Sequence, residues 1–131
     1  MLQTILLSSQ TLTICVEGIR NNEGVIRLAF YHNDEEFQHD KPFRSETVRK
    51  DTLSTKSFCI PYSGLKAGTY GVALLDDENE NNRMDYKLLI PAEGFGFSDY
   101  NAEGAKRPKF DDFKFKLDQQ GKKVKIRTKY F

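Results

Sequence analysis

The chain of 131 residues carries 20 Lys and Arg against 19 Asp and Glu, a formal charge of +1, so no overall field draws it to nucleic acid or repels it from membranes. Hydrophobic residues make up 38% and charged residues 30%, which fits strands that show one face to water, and the length holds one domain with a real core rather than two. No apolar run approaches a membrane span, and the short stretch Ile5, Leu6 and Leu7 lacks the basic lead-in and the length of a signal-peptide core.

Residues 1–9 read as an N-terminal segment, a leader remnant or a disordered tail, and residues 10–131 as a single domain. Period-two alternation then dominates. "TLTICVEGI" is a first strand, "NNEG" supplies turn chemistry, and "VIRLAFY" is the returning strand of a hairpin. From His32 to Asp51 the pattern weakens, with Phe37, Phe43 and Val48 as anchors and one helical turn around residues 34–38, capped by Asn33 or Asp34. "TKSFCIPY" is strand, "SGLKAG" a turn, and "TYGVALLDD" a strand that runs into an acidic loop. The Gly-rich stretch that follows, broken by Pro91 and Pro108, holds a short strand at residues 87–90 and is otherwise a long packed surface loop. "FKFKL" and "KVKIRTKYF", joined by "DQQGK", form a final hairpin.

About seven strands and at most one short helix make an all-β protein, an antiparallel β-sandwich. Its expected core holds Leu12, Ile14, Val16, Ile26, Leu28, Phe30, Phe58, Ile60, Tyr70, Val72, Leu74, Phe113, Phe115, Val124 and Ile126. Cys15 and Cys59 lie out of phase with the apolar residues of their strands, so both point off the apolar face. A bridge between them requires neighbouring strands, and two separate thiols are the default expectation.

Two stretches resemble a known family together. "GLKAGTYGVALLDDENENNRMD" is similar to the pattern L-x-x-G-x-Y-x-V followed by D-E-N-x-N-x-x-x-D, and "IPAEGFGFSD" to the I-P-x-E-G-[FY]-G-F-S segment after it. These are the marks of a bacterial family catalogued as domain of unknown function 2141, and "VEGIRNNEGVIRLAFY" and "RPKFDDFKFKL" match its opening and closing parts. The resemblance implies a transthyretin-like or Cna-B-like sandwich, usually behind a secretory signal, hence a periplasmic or secreted protein, and it implies no established activity. The chain departs from the pattern at Asp76, where the family often has His, and at Glu80 and Asn82, where Gly is usual.

The acidic loop "DDENENNRMD" invites a cation. Calcium takes six to eight oxygens, commonly from loop positions one, three, five, seven by carbonyl, and nine. Counted from Asp77, these are Asp77, Asn79, Asn81, the Arg83 carbonyl and Asp85, with Asn82 at the sharp turn of position six, where a left-handed residue is needed. Leu88 replaces the bidentate Glu at position twelve, so the expected calcium site is weak. On this reading Asp77→Ala removes the calcium response and relieves repulsion with Asp76, Glu78 and Glu80. The competing reading is a solvated turn.

Phe95, Phe97 and Tyr100 form a candidate ligand-binding group for a sugar ring or peptide, with plugging of the loop into the core as the plainer role. His32, Asp34, His39 and Asp40 lack the spacing of transition-metal ligands. The lysines of the final strands read as a solvated sheet face without aromatics for base stacking, so nucleic acid is not an expected partner. No Ser-His-Asp or Cys-His arrangement is spaced as a catalytic group, and the expectation is a non-enzymatic module that contacts a glycan or a cell-surface protein.

Overall fold

The computed structural model describes residues 10–53, 56–82, 86–87, 90–91, 93–101, 104 and 106–131; the N-terminal segment 1–9 lies outside this set. Ten strands follow in order: β1 (Gln10–Glu17), β2 (Val25–Tyr31), β3 (Arg44–Arg49), β4 (Phe58–Leu65), β5 (Gly68–Asp77), β6 (Tyr86–Lys87), β7 (Ile90–Pro91), β8 (Gly94–Phe97), β9 (Phe115–Leu117) and β10 (Lys122–Arg127). Among the described residues, two short helices, α1 (Asp34–Gln38) and α2 (Phe110–Phe113), and a 3₁₀ turn at Lys50–Thr52 complete the elements. As expected, Asn33 caps α1, its side chain accepting from the Glu36 amide.

A smaller sheet has the order β10-β1-β4 and a larger one β3-β2-β5-β8, with β9 paired to the start of β5. The fold is therefore an all-β sandwich. The alternate residues Leu12, Ile14 and Val16 of β1, Ile26, Leu28 and Phe30 of β2, Val72 and Leu74 of β5, and Val124 and Ile126 of β10 are buried together between the sheets. Phe58 and Ile60 pack against them half-buried, because β4 is an edge strand.

Two pairings and one element differ from the sequence reading. The first two long strands are not a hairpin: β1 pairs with β4 and β10, whereas β2 pairs with β3 and β5, so the chain crosses from one sheet to the other at Gly18–Gly24. The last two strands also part, β9 joining β5 and β10 running parallel to β1. Phe113, expected in a strand, ends α2, although it is buried as expected. Alternation reports which face a residue takes and is silent about the neighbour.

A second apolar cluster lies on the outer face of the larger sheet, where Tyr31, Phe37, Phe95, Phe97, Phe110 and Phe113 pack against Ala29, Ala73 and Tyr100. It requires Gly71, because a Cβ there would lie 2.7 Å from the Phe113 ring.

The expectation of free thiols is corrected. In the antiparallel β1–β4 ladder Cys15 stands directly opposite Cys59, and the two are bridged. The bridge sits on the outer face, with Cys59 exposed, as the alternation required. It closes a loop of 44 residues in sequence, and chain-entropy loss of that size stabilises the fold by about 3 to 4 kcal/mol. Replacing both cysteines by Ser should lower the thermal midpoint by roughly 10 to 15 °C, read in a circular-dichroism melt, whereas an unmoved midpoint would show that the bridge constrains nothing.

Candidate functional site

Three successive carboxylates leave the end of β5, and strand alternation turns neighbours to opposite faces. Asp76 points inward and is fully buried. Its Oδ1 is 2.6 Å from Lys50 Nζ, and Lys50 is also fully buried. The same ammonium donates to Asn21 Oδ1 at 2.8 Å, and the Tyr130 hydroxyl donates to Asp76 Oδ2. Burial holds the Asp76 carboxyl above the ordinary carboxylate range, with Lys50 and Tyr130 pulling the other way. Burial and the neighbouring Asp76 raise the Tyr130 phenol in turn.

Asp77 points to the outer face and is equally buried. Arg27 Nε reaches its Oδ2 at 2.6 Å, while the Asn81 amide donates to Oδ1 at 3.1 Å and the Asn82 amide to Oδ2 at 2.7 Å. Glu78 turns back towards the β1–β2 crossing, where the Arg20 guanidinium and the Asn21 amide grip both its oxygens. The Arg20 contact holds the Glu78 carboxyl below its usual range against the opposing effect of burial. That stabilisation is present above the ordinary glutamate range and is lost as pH falls through the lowered value. Gly24 allows this crossing to lie on the loop, since a Cβ there would stand 2.2 Å from the Asp77 carbonyl oxygen. The Glu93 side chain braces the loop from the other side, accepting from the Glu78 amide at 2.8 Å.

Of the expected calcium ligands, Arg83 and Asp85 lie outside the described residues. Asn82 has φ 62° and Glu80 φ 57°, the left-handed conformations that explain why glycine suits both positions. Asn79 Oδ1 faces the Asn81 amide at 3.3 Å. Among the described residues no group of three or more His, Cys, Asp or Glu side chains is placed to hold a metal ion. The histidines stay apart in role: the His32 ring stacks on Phe43 at 3.7 Å, and His39 Nδ1 meets the Glu35 carbonyl at 2.8 Å.

The aromatic group packs rather than projects. Phe95 and Phe97 are each 8% exposed, and Tyr100 is half-buried against Phe97. The Phe131 ring stacks on Phe95, and Phe97 is wedged against Phe37 and Phe113. Beside them the outer sheet face opens into a furrow of about 660 Å³. Its floor is a row of small side chains across three strands, Ser45, Ala29 and Ala73, which ends at Phe97 on β8. The next row runs Thr47, Arg27, Leu75 and Phe95. Arg107 lies over the Phe37 ring at 4.0 Å and pairs with Asp40 at 3.3 Å, and Lys106 lines the same opening.

Sequence reading missed Lys50, Arg27 and Arg20 as partners of the loop, and missed the furrow. Arg27 did leave a signal, since a charge in the middle of the apolar run "VIRLAFY" needs a partner.

These features define a small disulfide-linked β-sandwich module with a charge-compensated loop at one end and an open furrow on one sheet. The chain belongs to the family described as "Uncharacterized protein conserved in bacteria (DUF2141)", whose model matches residues 14–125. No curated protein and no solved structure matches it.

Removing Asp77 leaves Arg27 and two amides without their acceptor, so Asp77→Ala should destabilise rather than relieve. A loss of about 3 kcal/mol in urea unfolding is expected. A variant as stable as the parent would return Asp77 to the role of a solvated loop carboxylate.

Proposed function

We propose that the protein is a non-enzymatic binding module of the bacterial periplasm or exterior, and that its ligand site is the furrow on the outer face of the larger sheet. One observation carries this reading: a cavity of about 660 Å³, within the range of small-ligand sites, where small side chains interrupt an otherwise aromatic surface. The exposed Cys15–Cys59 bridge supports an oxidising compartment, since such bonds persist outside the reducing cytoplasm. The furrow's lining supports binding over catalysis, because the hydroxyls of Ser45, Thr47 and Tyr31 have no histidine beside them among the described lining residues to act as a base.

In this reading the acidic loop orders one end of the sandwich through Lys50, Arg27 and Arg20, and calcium at millimolar concentration adds little. Arg27 already supplies the positive charge that a cation would bring to Asp77.

A fragment screen followed in ¹⁵N-correlated spectra tests the site. Binding fragments should shift the amides of Ala29, Ser45, Thr47 and Ala73 together. Hits that leave these four unmoved and gather elsewhere would overturn the furrow as the binding site.

A further inference from the structure

We propose that the furrow takes an amphipathic organic anion, specifically a free straight-chain alkyl carboxylate, with its chain lying over Ala29 and Ala73 and its head beside Lys106. The proposal rests on the furrow being the binding site and adds the class of ligand.

The shape selects a chain over a ring. A sugar binds by laying its apolar face on an open aromatic face. Here Phe131 covers Phe95, Phe97 is wedged between other rings, and each is only 8% exposed. What they offer is a narrow apolar wall. Ala29 stands directly opposite Ala73 on the neighbouring strand, and both are half-buried, so the floor between the walls is low and methyl-lined. From β3 to β8 it spans three strand spacings, roughly 14 Å, room for an extended alkyl chain of medium length.

Charge selects the head. Of the cations at the opening, Arg27 is balanced by Asp77 and Arg107 by Asp40. Of the carboxylates, Glu46 is balanced by Arg44. Lys106 is the cation left over: among the described residues no carboxylate pairs with it, and its side chain is exposed. A carboxylate at this end gains a counter-charge without desolvating one already paired, whereas an alkylammonium meets repulsion from the lysine.

The test is calorimetric titration of the folded protein with hexanoate, octanoate and decanoate, and with octylammonium. Affinity should rise about threefold to fourfold for each added methylene, as apolar burial requires. Octylammonium should bind at least about fivefold more weakly than octanoate. Ala73→Leu, which fills the floor from the outer face, should abolish binding of all three carboxylates. Lys106→Glu, at an exposed position that leaves the thermal midpoint unchanged, should weaken octanoate about fivefold or more and spare octylammonium. Should Ala73→Leu not fold, the chain-length series and Lys106→Glu decide alone. Equal binding of octanoate and octylammonium, lost together in Ala73→Leu, would keep the furrow as a site and overturn the anionic head. Carboxylate binding unchanged by Ala73→Leu would overturn the furrow itself, and no binding by any of the four would overturn the alkyl ligand.

Discussion

Three like charges in a row at the end of a buried strand are tolerable only if each meets its own cation, and this constraint organises one end of the molecule. Asp76 faces the core and takes Lys50 from the 3₁₀ turn after β3. Asp77 faces outward and takes Arg27 from the middle of β2. Glu78 takes Arg20 from the crossing between the sheets. The Tyr130 hydroxyl joins Asp76, and its ring carries the Arg20 guanidinium 4.5 Å above its centre, so the segment after β10 is gathered in as well. Four distant parts of the chain thus meet at one strand end. A buried pair such as Lys50–Asp76 contributes little net stability over apolar side chains of the same size, but a lone partner left behind is costly. Its consequence is positional: this arrangement of the segments brings a cation to each of the three carboxylates.

The larger sheet has the opposite problem on its outer face, which is apolar yet has no second sheet to cover it among the described residues. Two helices of five and four residues and the aromatic strand β8 cover part of it with rings. Coverage stops where Ala29, Ala73 and Ser45 lie in one row, and the furrow is what remains. Arg27 belongs to both features, since it neutralises Asp77 and lines the furrow. The loop and the furrow are therefore joined through this guanidinium and through Asn82, which lines the furrow and donates its amide to Asp77.

How far the sequence could lead depended on whether the information was local. Alternation in β1, β2, β5 and β10 identified the inward residues, because a half-buried strand must alternate. Asn33 as a cap and Asn82 as a left-handed residue were legible because both are properties of a few consecutive positions. The strand "RSETVR" was not, since as an edge strand with a single buried residue, Val48, it shows no apolar period. Nor was "GFGF", whose four residues are all buried, so that alternation vanishes. The Cys15–Cys59 bridge needed the β1–β4 register, and the cations of the acidic loop needed the whole topology. The furrow was invisible for a related reason: a row of small residues across strands has no signature along any one of them.

The most direct test of the account is a double-mutant cycle between Asp77 and Arg27, using Asp77→Asn, Arg27→Gln and the double variant, with unfolding in urea measured in chelator and in millimolar calcium. If the guanidinium is the counter-charge that holds the loop, the two residues should be coupled by about 1 to 3 kcal/mol, with the same value in both solutions. Additive effects, or a coupling present in chelator that calcium abolishes, would contradict it.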